Sequence, residues 1–216
     1  MKLTLTGANI VVLADSHNPS IASKDWLLSN GIFVEEPEKF MHSPVLALYE
    51  SARFILTVDP QRLQVTLKQP KVEALKELPE IVKRYVERLP QTPYRAVGLN
   101  YAWHAAKEEG ESPVHHLKSL FVGDARRLGL VTDGKEWTIG GILRWRADAF
   151  VVRLMVEPTA EPSEGISLDF NFHREVRGAN EALEGIGMFE SHGVDSREVA
   201  TVFSGAKNDT AEDCGE

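Results

Sequence analysis

The sequence contains one pattern twice, and this repetition limits the possible folds more than any other feature. Gly7-Ala8-Asn9 leads into the apolar run at 10–14, and Gly98-Leu99-Asn100 leads into a similar run at 101–105. Farther along, apolar and aromatic positions match at one constant offset: Leu46, Tyr49, Phe54, Ile55 and Leu56 correspond to Ile142, Trp145, Phe150, Val151 and Val152. Repetition at a fixed spacing predicts a duplicated structural unit. The alternative is chance similarity between two ordinary α+β segments.

Each copy is predicted to contain a strand, an insertion, three further strands and a helix. In the first copy the strands are expected at 2–13, 44–50, 52–58 and 62–68, with the helix at 71–89. In the second copy they are expected at 94–105, 138–146, 148–157 and 166–173, with the helix at 179–190 and a further short helix from Ser196. Hairpin-like connections predict antiparallel pairing. The predicted fold class is α+β: two pseudo-repeated units, each an antiparallel sheet of about four strands closed by a helix.

The insertions and the first long helix carry their own signals. A short helix with Trp26 is expected to end at Asn30-Gly31, and a second from about Pro113 to Leu128, followed by a turn at 132–134. Pro79 interrupts the apolar stripe of the helix at 71–89. Because proline removes a helical hydrogen bond, a kink or a second helix starting at Pro79 is predicted.

Residue parity predicts which side chains of a strand face the core. The first strand has an apolar set of one parity: Leu3, Leu5, Val11 and Leu13. In the last strand, Phe170 and Phe172 alternate with Asn171. The two phenylalanines are predicted to lie against the terminal helix, near Leu183, Ile186 and Phe189, with Asn171 on the opposite, wet face.

The repeat also predicts the domain boundaries. Residues 1–90 form the first α+β unit, 91–204 the second, and 205–216 a flexible acidic tail. The units are expected to form a pseudo-twofold pair, either sheet edge to sheet edge or helix layer to helix layer. Because an antiparallel sheet leaves edge strands that must be covered or paired, a homodimer or larger assembly is expected.

Composition restricts the class of protein. No apolar run reaches the roughly 18 residues of a membrane span, and the N-terminus lacks the apolar stretch of a signal peptide. A cytoplasmic protein without membrane contact is therefore expected. The formal net charge of −8 disfavours nucleic-acid binding, which depends on clustered Lys and Arg. The only cysteine, Cys214, leaves no partner for an intramolecular disulfide.

The candidate site residues lie in the second copy. His104 and His173 each end a predicted strand, and Asp169 and Asn171 share a face with His173. Such a row suits a bound ligand, or a general base with an orienting carboxylate. The alternative is the solvated outer face of an amphipathic sheet.

Catalytic and cofactor signatures are missing from the sequence. It has no Gly-x-Ser-x-Gly elbow, no phosphate-binding Gly-x-x-x-x-Gly-Lys loop and no His-Glu-x-x-His helix. His115 and His116 diverge by about 100° on a helix, which does not suit a shared metal ion. We therefore predict no catalytic residue, no metal and no cofactor.

One segment resembles a known family. Tyr94-Arg95-Ala96-Val97-Gly98-Leu99-Asn100-Tyr101 resembles the middle strand, of the form Tyr-x-x-Ile/Val-Gly-Leu-x-Tyr, of a sporadically distributed bacterial family of uncharacterised proteins. Leu168-Asp169-Phe170-Asn171 and Met188-Phe189-Glu190 are similar to its late strand and terminal helix pair. The chain departs from the family at Ala96, where a basic residue is expected, and at 107–137. The family has no assigned activity, so the resemblance implies no catalytic residues. In outline, a strand-rich unit closed by a long helix also resembles the SecB-type chaperone fold.

Two functional hypotheses follow from these patterns. The leading one is a non-enzymatic protein-binding or scaffolding module that oligomerises through a sheet edge or the helix layer. The competing one is a small ligand-binding protein or enzyme that uses the polar face around His104, Asp169, Asn171 and His173. A pocket lined by those side chains favours the second hypothesis, and a flat solvated face favours the first.

Overall fold

The strands pair into one antiparallel sheet in the computed structural model, which describes residues 1–70, 72–110, 112–122, 137–161 and 163–206. Their bounds are β1 (Lys2–Ala14), β2 (Lys39–His42), β3 (Ala47–Glu50), β4 (Phe54–Val58), β5 (Arg62–Leu67), β6 (Tyr94–Ala106), β7 (Gly141–Ala147), β8 (Phe150–Pro158) and β9 (Gly165–Glu175). The nine described strands have the order β2-β3-β4-β5-β1-β6-β9-β8-β7. The predicted α+β class with antiparallel strands is confirmed.

Four strands of each half of the sheet have the same order, and the first half has β2 in addition. β3, β4 and β5 form a meander whose last strand pairs with β1, and β7, β8 and β9 form a meander whose last strand pairs with β6. β1 and β6 pair along most of their length, from Lys2 opposite Ala106 to Ala14 opposite Tyr94. The sheet is therefore continuous across its centre, as edge-to-edge packing requires.

The helices cover one face of this sheet. They are α1 (Lys24–Ser29), α2 (Val72–Arg88), α3 (Pro113–Phe121), α4 (Ala179–Gly187) and α5 (Phe189–Ser204). α2 packs on β1 and β5, whereas α4 and α5 pack on β6. Strand residues that face the helices are buried, among them Ile10, Leu99 and Val152. We call this side the covered face and the other side the open face.

A β-bulge changes which residues of β1 face the helices. The register with β6 shifts between Leu5 and Gly7, and an inserted residue reverses the alternation of side chains beyond it. Leu3 and Leu5 therefore pack against the core, but Val11 and Leu13 lie on the open face, where Leu13 is 38% exposed. The prediction that all four share one face is wrong.

The predicted elements need three corrections, two in helices and one in a strand. α2 continues through Pro79 as one helix, so the predicted second helix is wrong; burial of the apolar stripe offsets the roughly 3 kcal/mol that an internal proline costs. The last helix begins at Phe189 rather than Ser196. The short edge strand β2 was not predicted. The end of the helix expected at 113–128, the turn at 132–134 and most of the tail at 205–216 lie outside the described residues.

The prediction that Phe170 and Phe172 of β9 face the core is confirmed, and their proximity to Leu183, Ile186 and Phe189 stays a prediction. Phe170 and Phe172 are 2% and 1% exposed. The ring of Phe172 stacks on that of His192 in α5, with 4.5 Å between ring centroids. None of the described helices combines the length and the apolar character that a membrane crossing requires.

Candidate functional site

A ladder of asparagines lies at the centre of the open face. Asn9 is opposite Asn100 in the β1–β6 pair, and Asn100 is opposite Asn171 in the β6–β9 pair. Asn100 Nδ2 donates to Asn9 Oδ1 at 2.8 Å, and Asn171 Nδ2 donates to Asn100 Oδ1 at 2.7 Å. All three side chains are half-buried. The ladder therefore joins three strands through side chains as well as through the backbone.

The repeated Gly-x-Asn pattern places a glycine beside the ladder. Register places Gly98 opposite Val11, directly beside the asparagines on the open face. A Cβ atom at Gly98 would lie 3.5 Å from Asn171 Nδ2 and 3.8 Å from the Val11 Cβ. Both distances are those of ordinary van der Waals contact, and Gly98 is buried, so this glycine packs closely beside the ladder.

The ladder forms part of a depression with a volume of about 340 Å³. Its polar lining comes from five strands and includes Asn9, Gln64, Asn100, Arg153, Asp169 and Asn171. Asp169 Oδ2 accepts a hydrogen bond from Ser167 Oγ at 3.0 Å. The lining thus offers amide donors and acceptors, one carboxylate and one guanidinium, a set that recognises polar groups rather than apolar ones.

Three arginines extend this surface toward the β7 edge. Arg153 lies opposite Asn171 and Arg144 lies opposite Arg153, while Arg146 faces Val151 one row away. All three arginine side chains are exposed, and none has an ion pair in the part of the chain that the structure describes. We call Arg144, Arg146 and Arg153 the arginine patch.

Other arginines of the chain are paired differently. Carboxylates neutralise four of them: Arg53, Arg62, Arg95 and Arg174. At the opposite end of the asparagine row, Glu50 binds Lys68 at 2.8 Å, and this hydrogen bond holds the pKa of Glu50 below its usual value. Like charges directly across a sheet are destabilising. The Arg144–Arg153 pair therefore has an electrostatic cost that no ion pair among the described residues offsets.

The four residues predicted as a site all lie on the open face, but they do not converge. Asp169 and Asn171 line the 340 Å³ depression, whereas His173 lines a separate cleft of about 870 Å³ with Asp15 and Glu175. At roughly 3.3 Å per residue, Asp169 and His173 are about 13 Å apart along the strand. Asp169 is therefore too far from His173 to orient it as a general base.

His104 lies apart from the depression. It is opposite Ser167, and its Nε2 atom is buried without a hydrogen-bond partner. A Cβ atom at Gly165 would lie 2.5 Å from that nitrogen, so the glycine makes room for the imidazole. The imidazole of His104 is therefore packed against protein atoms and does not contact a ligand in the depression.

The neighbouring histidines of α3, His115 and His116, do not form a shared metal site either. His116 Nε2 is hydrogen-bonded to the carbonyl oxygen of Phe203 at 2.7 Å, which ties α3 to the end of α5. Within the described ranges, no three His, Cys, Asp or Glu side chains are grouped so that they could hold a metal ion.

No protein-family model matches this sequence, and no curated protein is significantly similar to it.

Sequence reasoning missed the arginine patch and the ladder. A signal for the patch exists: Arg144 and Arg146 alternate with Leu143 and Trp145, so parity alone places both arginines on one face. The ladder has a weaker signal, because the motif supplies Asn9 and Asn100 but only the strand register brings them together.

Proposed function

We propose that this chain is a non-enzymatic protein-binding module that holds an acidic segment of a partner protein on the open face of its sheet. The observation that carries the proposal is the arginine patch. Arg144 and Arg153 are exposed, lie directly opposite each other and have no carboxylate partner among the described residues. Carboxylates from a partner would form charge-assisted hydrogen bonds with both guanidinium groups and relieve their repulsion.

The surroundings of the patch favour a peptide over nucleic acid. Apolar side chains lie among the arginines on the same face: Ile142 is 56% exposed and Val151 is 43% exposed. A polypeptide supplies both carboxylates and aliphatic side chains, which match the arginines and the aliphatic Ile142 and Val151. The net charge of −8 further disfavours a long polyanion.

Binding is favoured over catalysis because the titratable groups of this face are dispersed. His104, Asp169 and His173 occupy different register rows. No hydrogen bond between these three described side chains forms a base with an orienting partner. A general base requires such hydrogen-bond geometry with its orienting group or its substrate.

The test is fluorescence anisotropy with a labelled peptide rich in Glu, and a Lys-rich peptide as the charge control. We expect the wild type to bind the Glu-rich peptide and not the Lys-rich peptide. The Arg144→Gln/Arg153→Gln double variant should bind the Glu-rich peptide at least about tenfold more weakly than the wild type does, a loss of about 1.4 kcal/mol in binding free energy. The matched control is Arg62→Gln, since Arg62 is already paired with Asp59. Absence of binding by the wild type, or an equal loss in the control, would overturn the proposal.

A small polar ligand is the second candidate, favoured by the 340 Å³ depression. This volume is within the range of small-molecule sites, and Arg153 with the asparagine amides suits a short dicarboxylate. Thermal unfolding with succinate tests this function. A rise in Tm for the wild type that Arg153→Gln abolishes would support it, and no rise would count against it.

We also propose that residues 1–90 and 91–204 are duplicated units. Support comes from the matching order of β3-β4-β5-β1 and β7-β8-β9-β6, to which the first half adds β2, and from the central register. A twofold axis through the Asn9–Asn100 pair exchanges the Val11–Gly98 pair with the Ala102–Gly7 pair. A circular permutant that begins at Gln91 tests this, because two contiguous units should still fold, and an unfolded permutant would contradict it.

Self-association remains a proposal too. The described part of the sheet ends at β2, whose Met41 is 46% exposed, and a second copy pairing there would cover this edge. Light scattering is expected to give twice the mass of the chain. A single-chain mass at all concentrations would exclude the assembly.

A further inference from the structure

The β7 edge adds a second property to the arginine patch. In the described part of the sheet, β7 pairs only with β8, and no backbone hydrogen bond reaches its outer side. Seven residues, Gly141–Ala147, make up this edge. Unpaired edge groups are a template for another strand, which is how several domains recognise extended peptides.

The side chains of β7 define what an added strand must carry. Arg144 and Arg146 are on the open face, and Leu143 and Trp145 are half-buried on the covered face. Directly opposed side chains in an antiparallel pair have Cβ atoms about 4.5–5.5 Å apart. An added strand would therefore meet arginines with every second residue and apolar side chains with the residues between.

We infer that the acidic segment binds as an extra strand along β7, with acidic residues alternating with apolar residues. This inference rests on the proposed function, because it identifies how the partner meets the arginine patch. Carboxylates at alternate positions would reach Arg144 and Arg146, and the intervening apolar residues would extend the cover over Leu143 and Trp145.

A second copy of this chain does not fit the same edge. In an antiparallel β7–β7 pair, the register that pairs all seven residues places Arg144 opposite Arg144 of the other copy. Such like-charge pairs are unfavourable. Arginines at an edge thus select against self-pairing while they attract an acidic strand.

The experiment uses the full chain and an eight-residue peptide of alternating Glu and Val. In one derivative the backbone amides of the Glu residues carry N-methyl groups. In the other derivative the backbone amides of the Val residues carry them. Because the N–H groups of a strand point alternately to its two edges, only one set faces β7. We expect one methylated peptide to bind like the parent and the other at least about tenfold more weakly.

A peptide of the same composition with its Glu residues in one block separates the two proposals. Equal binding of the alternating, blocked and both methylated peptides, still lost in Arg144→Gln/Arg153→Gln, overturns strand addition and leaves the acidic-segment function standing. No binding of any peptide overturns both. Amide hydrogen exchange gives an independent readout: the alternating peptide should slow exchange in β7, and unchanged exchange there contradicts the inference.

Discussion

Asn100 is the residue on which the centre of the open face depends, because its side chain uses both its donor and its acceptor. It donates to Asn9 and accepts from Asn171. Asn100→Ala is expected to lower the free energy of unfolding by about 2 kcal/mol, and Asn9→Ala by about 1 kcal/mol, since each lost hydrogen bond contributes about 1 kcal/mol. Urea unfolding measures both. Equal, small effects would mean that the ladder is not structural.

The buried imidazole of His17 makes the free energy of unfolding depend on pH. The side chain is 3% exposed, and burial lowers its pKa from 6.5, although the bond to the Val12 carbonyl and the charge of Asp59 act in the opposite direction. Because the folded-state pKa is below the unfolded value, the unfolded chain binds more protons once the pH falls below about 6.5. Stability contributed by neutral His17 is therefore lost as the pH decreases through that value.

The measurement is urea unfolding at pH 7.5 and pH 5.5 for the wild type and His17→Gln. We expect the wild type to lose more stability between the two pH values than the variant does, whatever the absolute stability of each. The same loss in both proteins would show that other groups cause the pH dependence.

Among the elements, β1 shows how far sequence periodicity predicts structure. Alternation identified this strand and most others, because each strand with one dry face has a period of two. The bulge near Thr6 was not predictable, since it depends on pairing with β6. β2 lacked a signal because it is short and mostly exposed. α5 was predicted too short because Gly193 obscures its helical pattern.

The same limit applies to the candidate site. Parity predicted the wet face of β9 with Asp169, Asn171 and His173. It did not reveal that Asn171 has Asn100 as its neighbour, because cross-strand partners depend on register across 71 residues of sequence separation. The expectation of a purely solvated Asn171 is replaced by a half-buried, hydrogen-bonded side chain.

Deleting Thr6 tests the bulge as an element. Without the extra residue, Leu3 and Leu5 would turn to the open face if the rest of β1 kept its register. Moving two large apolar side chains into water should cost about 3 kcal/mol or more. Thr6→Ala keeps the chain length and should cost less than about 1 kcal/mol. Comparable unfolding midpoints for the deletion and the wild type would contradict the bulge.

The β7–β8 hairpin gives a prediction that separates stability from function. Arg144→Glu replaces a like-charge pair with an ion pair to Arg153, and we expect it to stabilise the isolated chain by about 0.5–1 kcal/mol. Arg144→Gln should have an intermediate effect, since it removes the repulsion without adding attraction. A loss of stability in Arg144→Glu, measured by chemical unfolding, would mean that Arg144 has a structural partner.

On the scale of the whole molecule, one sheet and one core join the two halves. Buried residues of both halves belong to the same hydrophobic cluster, including Val65 from β5 and Leu154 from β8. The helices pack on the covered face, and the proposed recognition surface is the open face with its β7 edge. Although the net charge is −8, screening at physiological salt limits general repulsion to about 8 Å, so the net charge does not oppose the binding proposed at the arginine patch.

Chemical-shift mapping of the backbone amides, with a Glu-rich peptide added to the full chain, tests the central claim most directly. The account predicts saturable shifts that are concentrated in β7, β8 and the strands that carry the asparagine ladder, and that disappear in Arg144→Gln/Arg153→Gln. Shifts concentrated in α2, α4 and α5 on the covered face, or no shifts at all, would contradict it.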